Sequence, residues 1–127
     1  MIWYSNVLHI YSPDQNRTIF RRARAALRPG GRFIIQDAFL HDREGLYPAE
    51  ASLFAVSMLL FTEGGNTYSA SETTRWLKEA GFVGVKPITL KKGTEDWEEG
   101  LLEASVPAPH IKKTVRRTRL SKDRKAR

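Results

Sequence analysis

Cysteine is absent from this 127-residue chain, which excludes disulfide scaffolds, thiolate catalysis and zinc sites built on cysteine. The three histidines, His9, His41 and His110, lie far apart in sequence and form no metal-ligand spacing, so no metal is expected. No apolar run approaches the ~20 residues that a helix needs to cross a bilayer, and no basic segment precedes the apolar opening residues. We therefore expect neither a membrane span nor a signal peptide, and a cytoplasmic protein.

Excess charge is also scarce in most of the sequence, although the net charge is +7. Nearly all of the excess lies in residues 112–127, where nine Lys and Arg accompany one Asp. The apolar periodicity stops at a Val-Pro-Ala-Pro segment, which predicts one folded domain over residues 1–105 and a disordered basic tail over residues 106–127. We interpret the tail as a solvated extension. A phosphate- or RNA-binding arm is the alternative, and nucleic acid is not expected elsewhere.

The first third of the sequence has the pattern of a strand, a helix and a second strand. Residues 2–8 form an apolar, β-prone run that predicts a buried strand. Ser12 and Gln15 form a capping box around Pro13, so a helix is predicted to begin there and to run to the following Pro-Gly-Gly turn. The continuous apolar centre of residues 32–38 predicts a strand that is covered on both faces.

The middle of the sequence predicts two helices, and two strands follow them. Residues 49–61 are apolar on nearly all sides, which predicts a helix buried against a groove, a partner subunit or both. Ser69 and Glu72 form a second capping box, whose helix is predicted to end at the next glycine. Residues 82–90 and 97–105 predict an antiparallel pair at the end of the sheet, with the proline-containing strand at the edge. The fold class is therefore α/β.

Four segments of the sequence carry a family resemblance. They read SNVLHIYS at 5–12, RAALRPGGR at 24–32, GGNTYS at 64–69 and WLKEAGF at 76–82. In this order and spacing they resemble the catalytic half of class I S-adenosylmethionine-dependent O-methyltransferases, the group of plant caffeate-type enzymes and bacterial polyketide and antibiotic tailoring enzymes. The Leu-x-Pro-Gly-Gly turn is shared by many Rossmann-like methyltransferases, whereas the first and third segments narrow the resemblance to the O-methyltransferases. The resemblance covers residues 1–105.

The resemblance implies that this chain is the C-terminal half of a Rossmann-like methyltransferase sheet. The family's sheet has seven strands, of which this chain would supply strands four to seven. The glycine-rich loop after strand one, which holds the cofactor, has no counterpart, because the sequence contains no G-x-G pattern. The expected partners are therefore a small-molecule hydroxyl acceptor and either the missing N-terminal half or a homodimer partner.

His9 is the candidate catalytic residue, because ligands of open α/β sheets bind at the carboxyl ends of strands and His9 follows the first predicted strand. It also matches the family's catalytic base, which would remove the proton of an acceptor hydroxyl. Asp37 matches an acid that orients this histidine in the plant enzymes; a local turn is the alternative role. The family's second orienting acid aligns with Thr67, which carries no charge, and Glu63 is a weak substitute.

The remaining site residues are implied by the resemblance. Ser5 matches a position that touches S-adenosylmethionine near the strand end, and Tyr11 matches the aromatic residue packed by its adenine, with core packing as the alternative. Met58 and Thr62 match the stretch that lines the acceptor pocket, where a thioether suits planar aromatic molecules. The implied reaction is methyl transfer to a hydroxyl of a small, aromatic or polyketide-like molecule.

A second function from another class fits the same sequence. In this hypothesis the chain is an inactive methyltransferase remnant that acts as an interaction module, with its basic tail binding nucleic acid or an acidic partner. Both hypotheses predict that the first strand is central in a complete sheet. Without its neighbour, that strand would expose an apolar edge, so we expect poor solubility of the chain on its own.

Overall fold

The computed structural model describes residues 1–40, 49–88 and 99–109, and a mixed α/β fold. Its elements, in chain order, are β1 (Ile2–Ser5), a 3₁₀ turn (Leu8–Ile10), α1 (Pro13–Ala26), β2 (Arg32–Leu40), α2 (Ala49–Phe61), β3 (Tyr68–Ser69), α3 (Ala70–Glu79), β4 (Val83–Ile88) and β5 (Glu99–Ser105). The predicted order of helices and strands is confirmed, with the 3₁₀ turn and β3 as additions. The predicted turn between the last two strands and residues 110–127 of the predicted tail lie outside the described residues. Val106, where the tail was predicted to begin, is instead 2% exposed and belongs to the core.

The sheet brings the four main strands together in the order β1-β2-β5-β4. β1 runs parallel to β2, with Ile2 opposite Phe33, whereas β5 runs antiparallel to both β2 and β4. The antiparallel pair predicted at the end of the sheet is thus present, and the strand that contains Pro87 lies at the edge. The short β3 extends the sheet beside the end of β2.

β1 is shorter and more exposed than the sequence predicts. The predicted strand of residues 2–8 ends at Ser5, because Asn6 adopts a left-handed φ of 55° and the chain then enters the 3₁₀ turn. Predicted burial of this strand is also wrong, since Trp3 is 53% exposed. Within the described residues β1 pairs with β2 alone and therefore lies at the edge of the sheet. As a result, His9 lies on the 3₁₀ turn that follows the strand.

The two predicted capping boxes are present and fix the starts of α1 and α3. The Ser12 hydroxyl accepts a hydrogen bond from the backbone N–H of Gln15, and the Ser69 hydroxyl accepts one from Glu72 in the same way. α3 ends before Gly81, whose φ of 95° is the left-handed conformation predicted for its stop. Both helices are therefore set by local hydrogen bonds that the sequence makes visible.

The hydrophobic core lies between α1, α3 and the face of the sheet that carries Phe33. The Phe33 ring packs edge-on against Phe20 of α1, with centroids 5.5 Å apart, and stacks on Phe82 at 5.4 Å. Leu77 of α3 is fully buried in the same cluster. Full burial of a side chain of this size contributes about 1.5–3 kcal/mol, so this cluster fixes α1 and α3 against the sheet.

α2 has the predicted bounds but not the predicted burial. It packs against β2 and the 3₁₀ turn, and Ala51 is its one buried residue. Five of its large apolar side chains are 54–82% exposed, namely Leu53, Val56, Leu59, Leu60 and Phe61. The described residues pack against one side of this helix, and its other sides are exposed to solvent. None of the helices in the described ranges is long and apolar enough to cross a membrane.

Candidate functional site

His9, on the turn after β1, and Asp37, within β2, form a hydrogen-bonded pair beside the carboxyl end of β1. The Nδ1 atom of His9 lies 2.9 Å from Oδ1 and 3.0 Å from Oδ2 of Asp37. The backbone N–H of His9 also donates to Oδ2 of Asp37 at 3.3 Å. The Asp37 side chain is 1% exposed and the His9 side chain 13% exposed, so the pair is nearly shielded from water. The structure thus brings together the two residues expected to perform acid–base chemistry.

The register of the two parallel strands explains this meeting. Ser5, the last residue of β1, lies opposite Gln36, so the chain leaves β1 beside Asp37. The backbone N–H of Asn6 donates to the carbonyl of Gln36 at 2.9 Å and extends the pairing by one residue. The 3₁₀ turn of residues Leu8–Ile10, which we call the His9 turn, then carries the imidazole back over the end of β2.

The carboxylate of Asp37 is well supplied with donors. Besides the two donors of His9, the backbone N–H of Ala38 donates to its Oδ1 at 2.7 Å. A buried carboxylate needs such bonds, because burial without them costs several kcal/mol. A carboxylate accepting from Nδ1 favours the tautomer that carries its proton on that atom, which leaves Nε2 of His9 as the basic nitrogen.

α2 forms one wall beside the imidazole. The ring of Phe54 meets the ring of His9 edge-to-face, with centroids 4.7 Å apart. Met58 lies one helical turn after Phe54 and is half-buried, so its side chain extends the same helix face. The sequence did not single out Phe54. Phe54 is four residues before Met58 and therefore lies on the same face of α2. Because α2 is apolar on nearly all sides, this spacing did not distinguish Phe54 from the other apolar residues.

Thr62 closes the carboxyl end of α2. Its hydroxyl donates to the carbonyl of Met58 at 2.7 Å and accepts from the backbone N–H of Gly65 at 2.8 Å. A depression of about 270 Å³ lies next to this turn, lined by Ala55, Val56, Leu59, Gly65 and Asn66. Thr62 therefore holds the loop that follows α2, and its predicted contact with an acceptor stays a prediction.

Gly65 packs directly on the backbone of the His9 turn. A β-carbon at this position would collide with the carbonyl oxygen of His9 and lie 2.5 Å from Oγ1 of Thr62. The next residue, Asn66, donates its backbone N–H to the same His9 carbonyl at 3.0 Å. The loop after α2 therefore needs a glycine at residue 65 in order to reach the His9 turn.

The positions predicted to touch the cofactor flank the pair. The Ser5 hydroxyl donates to Oε1 of Gln36 at 3.2 Å and is half-buried. Tyr11 lies at an open depression of about 360 Å³, which it lines together with Asp14, Thr18 and other residues of α1. Tyr11 is half-buried and stands outside the buried core, whereas core packing was the alternative for it.

The position of the family's second acid holds an uncharged side chain here. Thr67 is 3% exposed, and its hydroxyl has no hydrogen-bond partner among the residues that the structure describes. Glu63 is exposed to solvent. Asp37 is thus the carboxylate that contacts His9 in the described part of the chain. No group of three or more potential metal ligands occurs in residues 1–40, 49–88 and 99–109.

Two tyrosine hydroxyls form hydrogen bonds next to the His9 turn. The hydroxyl of Tyr68 donates to the carbonyl of Tyr11 at 2.7 Å, and that of Tyr4 donates to Oδ1 of Asn16 at 3.0 Å. Burial, followed by the charge of Glu72, raises the pKa of Tyr68 to about 12. Burial is also the main cause that raises the pKa of Tyr4 far above its usual range. Both phenols therefore remain protonated donors at neutral pH.

Comparisons with known proteins identify the family of the chain. The profile of the O-methyltransferase domain family matches residues 1–83. The chain is 32% identical over 85 residues to the tetracenomycin polyketide synthesis 8-O-methyl transferase TcmO of Streptomyces glaucescens, covering 67% of this chain and 25% of that protein. It is 37% identical over 82 residues to the L-tyrosine C(3)-methyltransferase of Streptomyces lavendulae, covering 64% of this chain and 22% of that protein.

A solved structure shows the same fold. The structure of PigF with SAH superposes with a TM-score of 0.71 at 28% identity, covering 82% of this chain and 29% of that one. The chain spans about a quarter of the length of the curated relatives it matches. The family profile covers more than half of the chain, and the fold of the solved structure agrees with it. The chain therefore belongs to the class I S-adenosylmethionine-dependent O-methyltransferase family.

Proposed function

We propose that this chain carries the general base of an S-adenosylmethionine-dependent O-methyltransferase that acts on a hydroxyl of a small, aromatic or polyketide-like molecule. The observation that carries the proposal is the hydrogen bond of 2.9 Å between Nδ1 of His9 and the buried carboxylate of Asp37. The names of TcmO and related polyketide enzymes support the acceptor class. The reaction is that of a complete enzyme, of which this chain supplies part.

The chemistry assigned to His9 is removal of the acceptor's hydroxyl proton. Nε2 takes this proton as the oxygen attacks, and Asp37 stabilises the imidazolium that results. When bound, S-adenosylmethionine supplies an electrophilic methyl group on a positively charged sulfur. His9 and the edge of Phe54 would hold the acceptor oxygen in line with that group, and alignment of this kind lowers the barrier of a displacement. Met58 and Thr62 would extend the acceptor pocket along α2.

Part of a cofactor site fits the residues present. Ser5 and Tyr11 lie on either side of the His9 turn at the carboxyl end of β1, where open α/β sheets bind ligands. In our proposal the ring of Tyr11 packs against the adenine and Ser5 lies near the methionine end. The sequence contains no G-x-G loop, so another segment would bind the rest of the cofactor.

That segment would also complete the sheet. We assign β1, β2, β4 and β5 to strands four, five, six and seven of the family's Rossmann-like sheet. The order β1-β2-β5-β4 and the antiparallel direction of β5 support this assignment. The missing N-terminal half would then pair with the outer edge of β1 and cover Trp3, which is 53% exposed. Either that half or a homodimer partner would cover α2.

The interaction-module hypothesis has one observation in its favour, the exposed apolar side chains of α2. Surfaces of this kind mark sites of protein association. They also suit the proposed enzyme, whose other half would cover them, so they do not separate the two functions. Methyl transfer does separate them, because an inactive module catalyses no reaction even when a methyl donor is bound.

The test combines this chain with the upstream half of a relative and measures methyl transfer by the assembled protein. The chain is co-expressed with the upstream half of a relative such as TcmO, and isothermal titration with S-adenosylmethionine is compared with that of the chain alone. We expect binding by the assembled protein alone, followed by transfer of a labelled methyl group to a hydroxynaphthoate. Mass spectrometry and NMR of the product show whether oxygen or carbon is methylated. Assembly and donor binding without transfer to any phenol would contradict the proposal and favour the interaction module.

A further inference from the structure

Asn16 is a polar residue on the core-facing side of α1. It lies one helical turn before the buried Phe20 and is itself 0% exposed. A carboxamide buried in this way costs about 1–3 kcal/mol unless its hydrogen bonds are made. The presence of Asn16 among apolar core residues therefore needs a physical explanation.

The hydrogen bonds of Asn16 converge on the His9 turn. Its Nδ2 donates to the carbonyl of Leu8 at 2.9 Å and to that of Tyr11 at 3.2 Å. Its Oδ1 accepts from the hydroxyl of Tyr4 at 3.0 Å. The two carbonyls stand on either side of His9 in the chain. One buried amide thus connects α1, β1 and both ends of the segment that carries the imidazole.

The His9 turn depends on such external bonds. It has three residues, begins after the left-handed Asn6, and is not capped by any side chain in the described part of the chain. A 3₁₀ segment this short is weak on its own. The ring of His9 must nevertheless stay within 3.0 Å of Asp37 in order to keep its bond. A shift of the turn by 1 Å would break that contact.

We propose that Asn16 is the positioning residue of His9. Its carboxamide holds the carbonyls of Leu8 and Tyr11 so that the imidazole meets Asp37 with its proton on Nδ1. Tyr4 fixes the rotation of the amide, so that both N–H groups face the turn. The positioning of His9 by Asn16 is inferred from the hydrogen bonds of Asn16. Its importance for catalysis rests on the proposed function.

The tautomer of His9 is the readout, because loss of stability alone would not change it. The full chain, with nitrogen-labelled histidine, is assembled with the unlabelled upstream half of a relative, which covers its exposed apolar surface. Long-range proton–nitrogen correlation NMR of this assembled protein reports which ring nitrogen of His9 carries the proton at neutral pH. We expect the Nδ1-protonated form in the wild type. In Asn16→Leu, which keeps the side-chain volume without polar atoms, we expect a mixture of tautomers. The matched control is Thr73→Val, since Thr73 of α3 is equally buried and its hydroxyl donates to the carbonyl of Ser69, the residue before α3.

The outcomes decide the proposal in either direction. A folded Asn16→Leu protein that keeps the Nδ1-protonated form would overturn it. If Asn16→Leu does not fold, Tyr4→Phe removes the bond that fixes the amide, and we expect a smaller shift in the same direction. An unchanged tautomer in Tyr4→Phe would then overturn the proposal.

Failure of the positioning and failure of the proposed function give different results. In the assembled enzyme we expect Asn16→Leu to lower kcat up to about 10²-fold, with a smaller change in KM. If Asn16→Leu changes the tautomer while His9→Ala leaves methyl transfer intact, the function fails and the positioning stands. If His9→Ala abolishes transfer while Asn16→Leu changes neither tautomer nor kcat, the positioning fails and the function stands.

Discussion

Nδ1 of His9 faces both carboxylate oxygens of Asp37, at 2.9 Å and 3.0 Å; His9 follows β1, and Asp37 lies within the neighbouring parallel strand β2. Parallel pairing of β1 with β2 therefore creates the contact, although 28 positions of sequence separate the residues. The arrangement leaves Nε2 as the basic atom and gives the imidazolium a buried counter-ion. Asp37 thus supports two properties of His9 at once, its tautomer and its charged form.

Asp37→Asn tests the orienting role. The substitution keeps the shape of the side chain but removes the charge that stabilises the imidazolium, so we expect kcat of the assembled enzyme to fall by ~10²–10⁴. Single-turnover methyl transfer is the measurement. Glu79→Gln is the matched control, because the Glu79 side chain is 51% exposed at the end of α3. Equal rates for the two variants would show that Asp37 has a local structural role.

Gly65→Ala tests the close contact between the loop after α2 and the His9 turn. An added β-carbon would collide with the His9 carbonyl, so we expect the free energy of unfolding to fall by about 1–3 kcal/mol. Urea denaturation monitored by circular dichroism measures it. Gly65 is not among the glycines with positive φ, so without the collision the same substitution would stabilise the protein by about 0.4–1 kcal/mol. A stabilised variant would therefore contradict the packing described here.

Tyr68 makes stability depend on alkaline pH. Its folded-state pKa of about 12 lies above the ordinary value of 10.0, because burial disfavours the phenolate. The folded state thus holds the proton more tightly, and the stabilisation is complete below about pH 10 and is lost as the pH rises towards about pH 12. We expect unfolding free energies to show a steeper fall in this window for the wild type than for Tyr68→Phe. Parallel curves for the two proteins would refute the effect.

The exposed edge of β1 and the exposed face of α2 predict self-association. Leu59 is 77% exposed and Phe61 is 82% exposed, so the chain on its own presents apolar surface that favours contacts between copies. We expect size-exclusion chromatography with light scattering to show aggregates of the wild type. A Leu59→Lys and Phe61→Lys double variant should shift the distribution towards monomers, whereas Arg21→Lys, which alters an exposed side chain of α1, should not. A monodisperse wild-type monomer would contradict this expectation.

Local signals in the sequence predicted most of the helices and turns. Ser12 with Gln15 and Ser69 with Glu72 fixed two helix starts, because a capping box needs only residues three positions apart. The early end of β1 escaped prediction, because Asn6, which adopts a left-handed φ, lies inside a run that is otherwise largely apolar. The apolarity of α2 predicted that this helix needs cover, and the described residues cover one side of it; composition does not show what covers the rest.

The site could be predicted in part. His9 and Asp37 were found through the family resemblance, whose alignment places both at strand ends. Asn16 was missed, although a polar residue on the buried face of an amphipathic helix is a visible signal. Its partners Leu8 and Tyr4 lie on other elements, and only the folded chain shows that their bonds converge on the His9 turn.

The rate of methyl transfer by His9→Ala tests the central claim most directly. The variant is assembled with the upstream half of a relative and compared with the wild type in single-turnover reactions at saturating methyl donor. The control is Arg21→Ala, which alters an exposed side chain of α1. Loss of the general base should lower the rate by ~10²–10⁴, whereas the control should leave it unchanged. A His9→Ala rate within about twofold of the wild type would contradict the assignment of His9 as the base.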